Sequence, residues 1–332
     1  MSRIEMLRAR SRACMPGLWL CTTIALAAMF MSEHYNAPVM LFALLLGMAF
    51  NFIDPDGKFA EGVRLSSKVL LRFGIVLLGV RITLSDMYAL GLQPVVIAVA
   101  GLATTIALGT AISRALGRRP IFGVLTGGAV GICGASAALA LSAVLPQGKS
   151  GIEERDTVFT VVAVTALSSI AMIAYPLVCT ALGLDDRAAG VFIGATVHDV
   201  AQVVGAGYTV SEPAGDTATV VKLFRVAMLV PVLLVAAVAF RSSAGNAGAI
   251  RIPGFLLGFV ALVCLNSAFS LPVQVTGFLA DASRFLLVVS IAGIGIKTNL
   301  RDLSQVGARA IVVIVGETVW LALFALAVLV AF

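Results

Sequence analysis

Leu229–Phe240 reads LVPVLLVAAVAF, with no charge and no alternation of apolar and polar side chains. A strand of an outer-membrane barrel alternates the two classes over about ten positions. The stretch is therefore helical, with Pro231 withdrawing one backbone donor inside it. The rest of the chain is written in the same way. Of 332 residues, 60% are hydrophobic and 12% charged, and mean hydropathy is +1.05. A soluble chain is about 45–50% apolar and about 25% charged. So few charges cannot cover a water-exposed surface of this length. Soluble domains, a disordered chain and a nucleic-acid binder are excluded, although the net charge is +6.

A helix needs roughly 20 mostly apolar residues to cross a bilayer. Eleven stretches qualify: 15–32, 38–53, 68–85, 88–111, 121–145, 157–183, 188–208, 217–240, 253–271, 281–298 and 310–332. The expected fold is an all-α polytopic membrane bundle with an internal inverted repeat and at least one broken helix. A cleaved signal peptide is the alternative for 15–32, but its length and its exit, AAMFMSEH, predict a retained helix. Lys and Arg accumulate in cytoplasmic loops. With the N-terminus inside, sixteen of the 23 fall on inner loops and span ends, among them Arg118, Arg119, Arg187 and Arg309. Four fall outside: Arg81, Lys149, Arg155 and Arg284. The basic excess is an orientation signal that no single dropped or added mid-chain span would leave intact. It predicts a multi-pass membrane protein with residues 1–14 in the cytoplasm. Cys14, Cys21, Cys133, Cys179 and Cys264 lie in apolar runs without ligand spacing. They read as buried small hydrophobes, with no disulfide framework, metal or cofactor implied.

GVRITLSDMYALGLQPVVIAV from Gly79 aligns without a gap on GIKTNLRDLSQVGARAIVVIV from Gly295. Gly79/Gly295, Leu84/Leu300, Asp86/Asp302 and Gly91/Gly307 are identical, and Arg81/Lys297 keeps its charge. Asn51 and Asn266 end similar apolar runs. The loop charges make the two segments run in opposite directions, as the inverted repeats of secondary transporters do. The expected organisation is one transporter domain over 1–332, with arms at 38–111 and 253–327 flanking a central segment at 121–240. A weaker match joins GVLTGGAVGICGASA from Gly123 to GVFIGATVHDVAQVV from Gly190, and the span count makes this pair run in the same direction.

The central segment carries the chemistry. Gly127, Gly128, Gly131 and Gly134 crowd one stretch. Each glycine inside a helix costs about 1 kcal/mol relative to alanine, so the segment marks either a break or a close helix crossing. A half-helix starting near Gly134 would aim free N–H groups at an anion, flanked by Cys133 and Ser136. In GATVHDVAQVVGAG, His198, Asp199 and Gln202 sit amid apolar neighbours. On a continuous helix Asp199 and Gln202 share a face and His198 points about 100° away. A carboxylate there costs several kcal/mol unless paired or hydrated, and histidine titrates near neutral pH. His198 and Asp199 are the proton-coupling candidates, against a purely structural polar knot. Lys222 and Arg225 lie three apart in VVKLFRVAMLVP. Asp199 is the expected partner of one, leaving the other to face a cavity, with snorkelling as the rival account. Arg72 is also a snorkelling candidate.

GICGASAALA, HDVAQVVGAG and the VKLFR…P element, in this order, resemble the YeiH family of bacterial integral-membrane proteins, whose members are described as sulfate exporters. The likeness runs from about Pro38 to the C-terminus. It implies an inner-membrane transporter, and assigns Gly131, Cys133, Gly134 and Ser136 to the first motif, His198, Asp199 and Gln202 to the second, and Lys222 and Arg225 to the third.

The expected function is a secondary transporter of a small anion, sulfate or sulfonate-like, working by alternating access. Gly131, Cys133, Gly134, Ser136, Gln202, Lys222 and Arg225 would bind the anion and His198 and Asp199 would move a proton. Expected partners are that anion, membrane lipid and a second copy of the chain, with no nucleic acid. The alternatives are a structural membrane protein, or an intramembrane thiol enzyme using Cys133, His198 and Asp199 as nucleophile, base and orienter.

Overall fold

The computed structural model describes residues 3–35, 38–53, 57–148, 151–240, 254–269, 271–298 and 308–331. In chain order the helices begin with α1 (Arg3–Tyr35), α2 (Val39–Ala49), α3 (Ala60–Arg64), α4 (Leu71–Leu78), α5 (Leu84–Ala89), α6 (Gln93–Ala115), α7 (Pro120–Gly131) and α8 (Ala135–Ser142). They continue with α9 (Glu154–Ala181), α10 (Asp186–Thr196), α11 (Val200–Val210), α12 (Glu212–Ala227), α13 (Leu229–Ala239), α14 (Gly254–Phe269), α15 (Val273–Lys297) and α16 (Ala308–Ala331). No strand occurs among the described residues. Among the described residues, six segments are long and apolar enough to cross a membrane, among them Gln93–Ala115, Glu154–Ala181 and Glu212–Ala239. The protein is a multi-pass membrane helix bundle.

The chain forms two compact units, Met1–Tyr88 with Gly254–Asn299, and Ala89–Pro253 with Leu300–Phe332. In the first, one π turn (Leu65–Leu70) joins α3 to α4. Gly17 of α1 and Gly62 of α3 let the two backbones touch. α15 runs antiparallel to α3–α4, with Gly293 beside Ser66 and Leu287 beside Gly74. Ser283 Oγ donates to the Gly74 carbonyl at 2.6 Å. Asn51 does what most such residues do, donating across helices to the Ile296 carbonyl at 3.0 Å. Arg72 is exposed.

In the second unit α6 and α16 are antiparallel. Gln93 reaches Val328, Gly101 faces Leu321, and Ile112 faces Gly316. The gapless repeat joins α4 to α6 in one copy and α15 to α16 in the other, so in each unit the equivalent helices pack antiparallel. Leu300, Asp302 and Gly307 of the second copy lie outside the described residues, as does the Asp86 side chain of the first.

Two of the eleven stretches do not cross. α7 descends antiparallel to α6, with Gly123 against Gly109 and Gly131 against Leu102. α8 then returns along α7: Leu141 lies on Gly128 and shares an apolar cluster with Leu125, Val144, Leu145 and Ile121. At the foot of α7, Arg119 donates to the carbonyls of Gly148 and Gly151 and pairs with Glu153 at 2.8 Å. Arg118 pairs with Asp156 at 2.8 Å. The stretch 121–145 thus enters and leaves at the same end.

The stretch 188–208 does the same from the opposite end. α10 runs parallel to α12, with Gly190 on Ala214 and Thr217, and Gly194 on Ala218 and Val221. α11 comes back antiparallel, with Gly207 on Gly215 and Ala218. Arg187, at the start of α10, donates to the Ala89 and Leu90 carbonyls, between α5 and α6. Between these re-entrant hairpins α9 crosses once, from the Asp156 end.

Each half-helix, at about 1.5 Å per residue, reaches about halfway through a 30 Å core. Hydropathy counts residues and not direction, so a hairpin of two halves reads as one span. A single lost crossing would invert everything after it. A lost pair leaves later spans in register, which is why the loop charges tolerate the correction. It moves Arg155 to the end that holds Arg118 and Arg119, and Arg187 to the other. The Gly123 and Gly190 segments, expected to run in the same direction, enter from opposite ends.

Candidate functional site

The hairpin tips meet at the mid-length of α9 and α16. The first tip is Ile132–Gly134. Gly134 has φ +65 and ψ −126, where a side chain is strongly disfavoured. Its N–H bonds back to the Ala129 carbonyl at 2.8 Å, closing α7. Gly134 then caps α8 from its N-terminal side, the half-helix start read from the glycines. The second tip, Val197–Asp199, has no glycine or proline. Val197 and Asp199 are extended, and Asp199 is the N-cap of α11, its N–H held by Ser168 Oγ of α9 at 3.0 Å. Asp199 therefore precedes the helix instead of sharing a face with Gln202. An Asp before an apolar run, with Gln three residues on, is a helix-start signal that would have located this break. The two tips touch: a Cβ on Gly134 would sit 3.5 Å from the His198 carbonyl oxygen.

α12 passes beside both tips and places Lys222 and Arg225 there, 0% and 1% exposed. Neither snorkels. Lys222 Nζ donates to the carbonyls of Ile132 (2.8 Å), Val197 (2.9 Å) and His198 (2.5 Å). Those three bonds use every donor an ammonium has. Arg225 donates to Gly131 (2.9 Å), Val130 (2.7 Å), Gly194 (3.1 Å) and Val197 (3.3 Å). The expectation that one of the two cations is left over to face a cavity is corrected, because backbone carbonyls hold both. The orphan carbonyls at the C-terminal ends of α7 and α10 need donors, and the negative ends of both half-helices need cations. Lys222 and Arg225 supply both, lacing the two hairpins together.

With the C-terminal ends neutralised, the N-terminal ends of α8 and α11 remain. Neither has a side-chain cap, and each ends at the junction. Gln202, in the first turn of α11, is 2% exposed and its Oε1 has no hydrogen-bond partner among the described residues. Ser136, in the first turn of α8, is exposed, and Asp199 is half-buried. Cys133 is buried beside Lys222, Asp199 and Arg225. Gly131, Cys133, Gly134, His198, Asp199, Lys222 and Arg225 all gather at the tips.

His198 turns the other way. Its Nε2 lies 3.0 Å from Thr318 Oγ1 of α16, and that hydroxyl spends its own proton on the Ile314 carbonyl at 2.8 Å. The ring therefore donates from Nε2, and Nδ1 has no hydrogen-bond partner among the described residues. Because the imidazole is committed to Thr318, the Cys133–His198–Asp199 arrangement is not assembled as a nucleophile and base. Cys21, Cys133 and Cys179 are buried as expected, whereas Cys14 is half-buried and Cys264 exposed.

One residue passed unnoticed in the sequence is Glu317. It is 0% exposed, between α6 and α7, with Oε1 2.7 Å from Thr126 Oγ1. A single acid in a long apolar run is a signal by itself, since ionisable groups at that depth are costly.

The profile of the family described as "Conserved hypothetical protein 698" matches residues 16–314. A UPF0324 membrane protein of Chlorobaculum tepidum is 49% identical over 98% of this chain and 91% of that protein. Another from Rhizobium meliloti is 46% identical over 94% of this chain and 91% of that protein. The UPF0324 membrane protein TauZ of Paracoccus denitrificans is 46% identical over 96% and 95%. No solved structure matches the chain. By profile and by full-length likeness, the chain belongs to the Conserved hypothetical protein 698 family of UPF0324 membrane proteins, the family to which its resemblance to YeiH pointed.

Proposed function

We propose that the protein is a secondary transporter that moves a small anion, sulfate or sulfonate-like, across the bacterial inner membrane by alternating access. The observation that carries this reading is the junction of two re-entrant hairpins from opposite ends, with the uncapped N-termini of α8 and α11 at mid-depth. Half-helix N-termini at that depth present N–H groups and a positive dipole end to an anion. Lys222 and Arg225 hold two positive charges behind them. Ser136, Gln202 and the backbone around Gly131–Gly134 would contact the solute from the front. His198, with Nδ1 unpartnered, and Asp199 would exchange a proton as the solute binds and leaves. The loop charges favour a cytoplasmic N-terminus. An inside-negative potential favours export of an anion by about 2.3 kcal/mol per charge per 100 mV.

The test is a thermal-shift screen of the purified protein against sulfate, sulfite, taurine and acetate, followed by flux of the stabilising anion in proteoliposomes. At least one sulfur oxyanion is expected to raise the unfolding temperature in a saturable way and to be carried. A Ser136→Leu variant, altered on an exposed position, should fold and lose both effects. Absence of any anion-dependent stabilisation or flux in the wild type would overturn the reading.

A further inference from the structure

Glu317 has no role in the anion site, yet the fold makes room for it. A Cβ on Gly109 of α6 would overlap its carboxyl group, and the Gly123 carbonyl of α7 lies against the same spot. Thr126 Oγ1 is the bonded neighbour, and Oε2 has no hydrogen-bond partner among the described residues. No ion pair to Glu317 occurs among the described residues. The titratable groups on the elements packed against α16 are engaged elsewhere or distant in sequence. Arg114 is in the last turn of α6, and Asp156 pairs with Arg118. Tyr175 of α9 packs on Phe192, while Asp186 and Arg187 stand at the start of α10. His198 reaches the adjacent Thr318.

The hydroxyl of Thr126 bears on where the proton belongs. It has one proton, for which Glu317 Oε1 at 2.7 Å and the Phe122 carbonyl at 3.0 Å compete. When the carbonyl takes it, Oε1 needs a proton of its own to bond the same hydroxyl oxygen. A carboxylate left with one shared donor and one unpartnered oxygen, away from water, would cost several kcal/mol. A carboxylic acid donating from Oε1 to Thr126 Oγ1 removes most of that cost. One turn along α6 from Gly109, buried Ser113 Oγ also lacks a partner.

We propose that Glu317 is a proton-carrying site: it holds a proton on Oε1 in this conformation and yields it to water when α16 shifts against α6 and α7. The step breaks one O–H bond and moves one proton. Its connection to the anion site runs through the next residue, because Thr318 grips His198 at the second hairpin tip. That connection rests on the anion-transport reading; the protonated state does not.

Infrared difference spectroscopy of the reconstituted protein tests it. The wild type is expected to show the carbonyl stretch of a protonated acid, absent from Glu317→Gln, and the band should disappear reversibly as pH is raised over the range in which the protein stays folded. In proteoliposomes carrying sulfate or sulfite, Glu317→Gln should keep anion exchange and lose the accompanying proton movement, read with a trapped pH dye. A band that never titrates, or proton movement unchanged in Glu317→Gln, would overturn the site. Glu317→Asp and Thr126→Val guard against misfolding: the first should keep a titrating band, and the second should move it to another frequency. If the wild type carries no anion while its band titrates, the transport reading fails and the proton site stands. If it carries an anion while the band stays fixed, transport stands and the proton site fails.

Discussion

Lys222 and Arg225 bring two charges to the middle of the bundle, and their seven bonds to backbone carbonyls say what the charges do first. They hold two broken helices at one point. An orphaned buried acceptor costs about 1–3 kcal/mol, so removing either side chain exposes several such penalties together. Arg225→Met is expected to destabilise by about 3 kcal/mol or more, and the bundle should unfold at clearly lower temperature in detergent. Arg225→Lys keeps the charge but presents one ammonium to four scattered carbonyls, so it should recover less than half of the loss. An unchanged melting temperature for Arg225→Met would mean that the lacing contributes nothing. These two residues were legible in the sequence as buried cations. Their partners were not, because composition shows which side chains are charged and never which backbone groups have been left without hydrogen bonds.

At the scale of the element, the two hairpins break for different reasons. The first breaks on glycine: Gly134 needs φ +65, and backbone held in that region with a side chain costs about 1–3 kcal/mol. Gly134→Ala should therefore lower stability by about that amount. Gly254→Ala, at a helical position with open space around it, should be neutral or slightly stabilising. Thermal unfolding of both variants under one set of conditions compares them, and equal melting temperatures would contradict a strained tip. The clustered glycines made this break readable. The second break is built from Thr196, Val197, His198 and Asp199, ordinary residues that a helix tolerates. It exists because Ser168 and Lys222, 31 and 24 residues away, take up its backbone groups. Such distant partners leave no local signature beyond the capping pattern of Asp199 and Gln202.

For the whole molecule, the decisive difference between sequence and structure is the direction of travel at 121–145 and 188–208. Both readings have the same hydropathy and nearly the same loop-charge balance, so neither property separates them. Their loops lie on different sides. With two re-entrant hairpins, Ala115 before α7 and Gln147 after α8 share one end, fixed by Arg119 and its bonds to Gly148 and Gly151. Ala181 at the end of α9 and Glu212 at the start of α12 share the other. Eleven crossings would put Ala115 and Gln147 on opposite faces of the membrane, and likewise Ala181 and Glu212. Single cysteines at these four positions, in a background with the five native cysteines replaced, can be tested with a membrane-impermeant maleimide on intact spheroplasts. The structure requires Ala115→Cys and Gln147→Cys to be protected together, and Ala181→Cys and Glu212→Cys to be labelled together, when the N-terminus is cytoplasmic. Labelling of Gln147→Cys with protection of Ala115→Cys would restore the crossing helix. It would also remove the meeting of two helix ends on which the proposed anion site depends.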